Sequence, residues 1–240
     1  ELPYRIRSVK SAKTREETHC KQDFYTTIIR FLFQLLEDLN LAHLEFYLDP
    51  DKLPHIMERL KSELDSKASS KKGLHRYSSK SLTVRADLFG TEPMATILRF
   101  LIPRQELMLI RYSSLSSVGF ANSELFDLEE IQKVKKLSVL MNSDLRDDQL
   151  IKIRGEELQL SSRRLTSGPV NELVQQWLAG QRKIKKVTIN TEGCNPMVKE
   201  EVFNGLAAVK RDLHYRIEGV QGTLIATFYP YRVYFGEPEC

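Results

Sequence analysis

The feature that most constrains this chain is a short apolar-x-apolar frame that recurs along most of its length. Its first apolar residues are Leu44, Leu82, Leu107, Leu137, Leu158 and Val187, at intervals of 38, 25, 30, 21 and 29 residues. In "AHLEFYLD", Leu44, Phe46 and Leu48 face one way and Glu45 and Tyr47 the other. Alternation with period two is a strand signal. The segments "SLTVRAD", "ELMLIRY", "KKLSVLM", "EELQLSS" and "IKKVTIN" repeat the frame.

Between these strands the apolar period lengthens to that of a helix. Phe24, Ile28, Phe31, Leu32, Leu35, Leu36 and Leu39 mark one helix, and Leu53, Ile56, Met57, Leu60 and Leu64 a second. In "GTEPMATILRFLIP", Thr91 is the expected N-cap, Pro93 suits the first turn, and Pro103 is expected to stop the helix. "FDLEEIQKV" reads as a short helix and "RDDQLIKI" as a short helix or turn. In "LTSGPVNELVQQWLAG", Ser167 is the expected N-cap, Pro169 lies in the first turn, and Gly180 stands where a left-handed residue ends a helix. Its apolar stripe of Val170, Leu173, Val174, Trp177 and Leu178 marks Trp177, the only tryptophan, as part of the scaffold. Asn195-Pro196 opens a last helix that ends near Gly205. The tail, "LHYRIEG" and "TLIATFYPYRVYF", reads as strands alone, closing antiparallel, with Pro230 at an edge or bend.

A lone strand and helix cannot bury both the strand face and the helix stripe, whereas stacked units share a continuous core. Roughly 20–30 residues per strand-plus-helix unit is the period of leucine-rich repeats. The expected fold is therefore α/β: a leucine-rich-repeat-like solenoid of alternating short strands and helices, its strands mostly parallel, with closing antiparallel strands at the C-terminus. A doubly wound sheet alternates in the same way. The short intervals, small helices and shared frame favour the solenoid. Residues 23–240 are expected to form a single domain, with residues 1–22 an N-terminal extension.

Composition narrows the function classes. The net charge of +4, from 36 basic and 32 acidic residues, is too small an excess to point to nucleic acid. Cys20, Cys194 and Cys240 form no C-x-x-C pair, which favours a reducing, intracellular compartment, cytoplasmic or nuclear. The apolar run "TTIIRFLFQLL" is broken by Arg30 and Gln34, so no membrane helix is expected. "ELPYRIRSVK" has no signal-peptide core and no initiator methionine, which suggests a longer chain.

No nucleotide-binding glycine motif occurs, and His19, His43, His55, His75 and His214 are scattered without zinc spacing. No enzymatic activity, cofactor or metal is expected. In "KASSKKGLHRYSSK", residues 67–80, Lys71, Lys72 and Arg76 suit a phosphate, an acidic partner or a phosphorylation site. A solvated insertion between repeats is the favoured reading, because charge runs usually stand in water. In "QRKIKK", Arg182, Lys183, Lys185 and Lys186 are expected to keep a turn in water. The concave strand face holds the better candidates: Tyr47, Arg85, Met108, Ile110, Arg111, Leu140 and Gln159. Glu45, Thr83, Ser138, Ser161, Thr188 and Asn190 are expected to be exposed beside them. Aromatic, Met and Arg residues are enriched at interface centres.

Two stretches resemble a known family. "DDQLIKIRGEELQLSSRRLTSGPVNELVQQWLAG" followed by "RKIKKVTI" resembles the nematode F-box-associated domain, in its leucine-rich strand at Leu158 and Leu160, its Leu165-Thr166-Ser167 turn, and its helix ending in Trp177-x-x-Gly180. "ELFDLEEIQKVKKLSVL" resembles the related FTH domain, as does the closing "GTLIATFYPYRVYF". The resemblance spans residues 25–235 diffusely and is specific at 124–190. It implies a non-enzymatic protein-recognition module, the target-binding part of an F-box-type ubiquitin-ligase subunit. A Skp-type adaptor and a cullin would then be reached through a region upstream of Glu1. Leu2-Pro3 and Ile6 begin like an F-box, but "SAKTREETHC" lacks the apolar helix that should follow. The other expectation is therefore an F-box-less adaptor or antidote that neutralises or tethers one partner protein. Direct RNA regulation is the weakest of the three expectations.

Overall fold

The computed structural model describes residues 24–38, 42–47, 53–68, 77–86, 88–89, 91–111, 120–191, 195–211 and 213–238. The extension 1–22, the three cysteines, and Lys71, Lys72 and Arg76 lie outside the described residues.

Strand and helix alternate as the periodicity requires. The first half contains α1 (Phe24–Asp38), β1 (His43–Tyr47), α2 (Leu53–Ala68), β2 (Tyr77–Arg85), β3 (Leu88–Phe89), α3 (Thr91–Phe100) and β4 (Leu101–Ile110). Next come β5 (Phe120–Ala121), a 3-10 turn (Ser123–Asp127), α4 (Glu129–Lys133), β6 (Lys136–Leu140), β7 (Asn142–Ser143), α5 (Asp147–Lys152) and β8 (Glu157–Ser161). The C-terminal part is α6 (Ser167–Leu178), β9 (Lys186–Asn190), α7 (Lys199–Val202), β10 (Ala208–Arg211), β11 (His214–Gly219), β12 (Gly222–Tyr229) and β13 (Arg232–Gly236).

Ten strands form one sheet in the order β1-β2-β4-β6-β8-β9-β13-β12-β11-β10. The first six are parallel; β13 turns antiparallel against β9, and β12, β11 and β10 follow as an antiparallel meander. The chain is thus an α/β protein with a mostly parallel, then antiparallel, sheet. The closing antiparallel part is four strands deep, and β10 was not apparent in the sequence because "AVKR" carries no buried alternation.

The recurring frame is the register of the sheet. Leu44 pairs with Leu82, Leu82 with Leu107, Leu107 with Leu137, Leu137 with Leu158, and Leu158 with Val187. A slip of one residue anywhere would turn a whole strand's apolar set toward water, so burial of one face locks the row. Leu82, Leu107, Leu137 and Val187 are fully buried, and Phe235 of β13 extends the row. Each such side chain contributes about 1.5–3 kcal/mol by leaving water. They join one core with the helix residues Phe33, Leu64, Ile97, Ile131, Leu150, Val174 and Trp177. Ion pairs tie successive helices outside that core: Arg30 to Glu63 at 2.9 Å and Arg99 to Asp65 at 2.8 Å.

A second, three-stranded parallel sheet, β3-β5-β7, was not foreseen. Its strands follow β2, β4 and β6 in the chain, so each of these units makes two ladder contacts with the next. Two-residue strands have no periodicity to read.

Several local expectations are corrected. Pro103 does not end α3, which stops at Phe100; the chain passes directly into β4, with Pro103 inside it. Proline is tolerated there because the β2–β4 register shifts next to its pairing with Ser79, and β6 joins β4 only from Glu106 onward. In α1, Ile29 and Phe33 point into the core, while Ile28 and Phe31 are exposed. Phe33 meets Phe100 edge-on with ring centroids 5.4 Å apart. The N-cap of α6 is Thr166, not Ser167. The Ser167 hydroxyl instead accepts the Val198 amide at 2.8 Å. Gly180 has φ 73°, as a left-handed helix end needs. The last helix is only Lys199–Val202. Of the basic segment 67–80, residues 77–80 belong to β2, and Tyr77 is buried.

Candidate protein-binding face

Side chains that alternate with the buried rows form the other face of the sheet, and the shared register aligns them into cross-strand rows. The first row is a charge ladder: Glu106, Lys136, Glu157 and Lys186 stand side by side on β4, β6, β8 and β9. Lys136 Nζ lies 3.0 Å from Glu106 and 3.8 Å from Glu157. Ser81 adds a hydrogen bond to Glu106 at 3.1 Å. The Glu106 hydrogen bond raises the Lys136 pKa against an opposing desolvation. These pairs are wet, so each contributes less than about 1 kcal/mol, but they leave the row neutral within itself.

The second row runs Glu45, Thr83, Met108, Ser138, Gln159, Thr188 and Tyr234. Here an expectation fails. Thr83, Ser138 and Thr188 are buried, and so is Ser161. Short hydroxyl side chains in mid-sheet are covered by longer ones on adjacent strands, so face alone did not decide exposure. Met108 and Ile110 are half-buried, whereas Gln159 is exposed.

The third row aligns Tyr47, Arg85, Ile110 and Leu140, and resumes as Ser161, Asn190, Arg232 and Tyr229. Arg85 makes an ion pair with Glu45, which reaches it from the second row. The described residues include Tyr47 only as a register position opposite Arg85. A pocket of about 420 Å³ opens along this row at the C-terminal ends of β6, β8 and β9. Arg111, Leu140 and Gln159 line it, together with Asn142, Asn190 and Arg232.

Of the seven strand residues singled out in the sequence, Arg111, Leu140 and Gln159 therefore meet at one pocket. Met108, Ile110 and Arg85 lie on the neighbouring strands and do not line it. Arg232 was missed. Its strand inserts beside β9 from the far end of the chain, and the only sequence signal is that Val233 and Phe235 alternate inward in "RVYFG".

Next to the pocket, Asp144 is clamped by two guanidiniums, Arg163 Nε at 2.7 Å and Arg164 Nε at 3.0 Å. The Arg163 hydrogen bond, with Arg164 behind it, holds this carboxyl below its usual value despite burial. The segment "QRKIKK" is not wholly solvated. Arg182 is only 4% exposed and donates Nη2–H to the Ile151 carbonyl at 2.8 Å. Burial, then repulsion from Arg154, pushes its pKa down to about 10, so it stays charged at neutral pH. Lys185 does reach solvent and pairs with Glu156 at 2.9 Å.

Among the described residues, no group of three or more His, Cys, Asp or Glu side chains is placed to hold a metal ion. No helix among them is long and apolar enough to cross a membrane.

Fold and face together define an α/β protein that presents one broad, register-aligned sheet face of mixed polar and apolar character. Comparison with protein-family models, with curated proteins and with solved structures gives no match to the chain.

Proposed function

We propose that this chain is a non-enzymatic protein-recognition module, a leucine-rich-repeat-like solenoid that grips a partner protein through the exposed face of its sheet. The observation that carries this reading is the pocket of about 420 Å³ where Arg111, Leu140, Gln159 and Arg232 converge from four strands or their ends. Interface centres are enriched in arginine, which supplies two of these four side chains. Leu140 is 40% exposed on a strand whose other side is core, and it is a natural apolar contact for a partner.

The resemblance of residues 124–190 to F-box-associated and FTH domains supports a place in a ubiquitin ligase, with this chain choosing the target. The alternative within the same class is an adaptor or antidote that binds one protein and neutralises or tethers it.

Capture on the immobilised full-length protein tests both. Leu140→Asp with Gln159→Arg is expected to lose the captured partner while melting like wild type. Equal capture by variant and wild type would overturn the reading. Co-purification of a Skp-type adaptor and a cullin supports the ligase setting; a partner captured without them supports the adaptor.

A further inference from the structure

Charge on the sheet face is distributed unevenly. In the ladder, Lys136 pairs with both Glu106 and Glu157, Lys186 stands in register with Glu157 and 6.0 Å from the Tyr234 ring, and Arg85 is paired with Glu45. Asp144, the nearest acidic side chain in sequence to the pocket residue Asn142, is engaged by Arg163 and Arg164. Arg111 and Arg232 differ: among the described residues, neither makes a salt bridge. Both line the same pocket, whose lining contains no Asp or Glu. The remaining polar lining, Asn142, Gln159 and Asn190 with nearby hydroxyls, supplies amide donors and no negative charge. Tyr229, 56% exposed, is paired in register with Arg232.

Two guanidiniums in one pocket, neither in a salt bridge among the described residues, select carboxylate groups, which accept forked hydrogen bonds from arginine. The two arginines stand at the ends of a span from β4 to β13. That is four inter-strand steps of about 4.8 Å, or roughly 19 Å. An extended peptide crossing the strands covers that distance in about six residues, at about 3.3 Å each. We propose that the pocket takes an acidic, extended segment of the partner protein, with one carboxylate on Arg111, one on Arg232 at the other end of a stretch of about six residues, and the intervening chain over Leu140. This rests on the reading of the same face as a recognition surface.

The test uses the full chain with fluorescein-labelled hexaglutamate at low ionic strength, read by fluorescence anisotropy. Wild type is expected to bind it and to ignore hexaglutamine. Arg111→Ala with Arg232→Ala should weaken binding at least tenfold, and Lys210→Ala with Arg211→Ala, on the far edge strand, should leave it unchanged. Four results would each overturn the proposal: no binding of hexaglutamate by wild type, an equal loss in both double variants, displacement by millimolar inorganic phosphate, or tighter binding of hexauridylate through the same arginines. Partner capture separates this proposal from the one beneath it. If the arginine variant keeps the partner and the Leu140→Asp, Gln159→Arg variant loses it, the acidic-segment proposal falls and the recognition reading stands. If both variants keep it, the recognition reading falls.

Discussion

Gly219 lies directly beneath the indole of Trp177: a Cβ on Gly219 would stand 2.6 Å from Trp177 Cζ3 and 2.8 Å from Cη2. The ring is 3% exposed. Gly219 ends β11, and Trp177 belongs to α6, so this contact joins the antiparallel closing strands to the last large helix of the parallel part. Trp177→Ala is expected to destabilise by about 3–5 kcal/mol, as large core truncations do. Gly219→Ala should be clearly destabilising in wild type and close to neutral in the Trp177→Ala background. A double-mutant cycle of urea melts measures this coupling, and additive effects would refute the contact.

Within β6, Leu137 and Leu140 make opposite predictions. Leu137 is fully buried and Leu140 is 40% exposed. Leu137→Ala should cost about 2–5 kcal/mol, while Leu140→Ser should stay within about 0.5 kcal/mol of wild type. Denaturant midpoints of the two variants check the assignment of faces.

Asp144 carries a pH prediction. Its folded pKa lies below the ordinary value of 3.8, so its contribution is present above about pH 4 and is lost as pH falls through the folded pKa. Asp144→Asn is expected to cost about 1–3 kcal/mol at pH 7, because it removes the charge from two arginine hydrogen bonds. Melting temperatures of variant and wild type should converge at low pH. A constant gap from pH 7 to pH 2 would show that the carboxylate charge is not what the arginines hold.

Arg182 is a buried cation with one hydrogen bond. Among the described residues, its Nε and Nη1 have no acceptor. Replacing a poorly compensated buried charge with an apolar side chain of similar length is often neutral or stabilising. Arg182→Met should therefore melt at or above the wild-type temperature at neutral pH. A loss larger than about 1 kcal/mol would mean that the bond to Ile151 outweighs the desolvation.

The face was partly legible before the structure. Alternation told Leu140 and Gln159 apart from Leu137 and Leu158, because a strand with one wet side must write its two faces into the sequence at period two. Alternation could not tell that Thr83 or Thr188 would be covered, since cover comes from side chains on strands distant in the chain. Nor could it find Arg232, which reaches the pocket only because β13 runs back beside β9.

By itself, the sequence determined the strand frame, and with it the parallel register of six strands. Burying an apolar row is strongly favourable, and each strand carries its own copy of that row. It also set the end of α6 at Gly180, a local backbone requirement. Only the tertiary structure decided the closing order β9-β13-β12-β11-β10, the β3-β5-β7 sheet, the burial of Arg182 and the contact of Gly219 with Trp177. Each of these depends on which distant segments meet, and no local period records that.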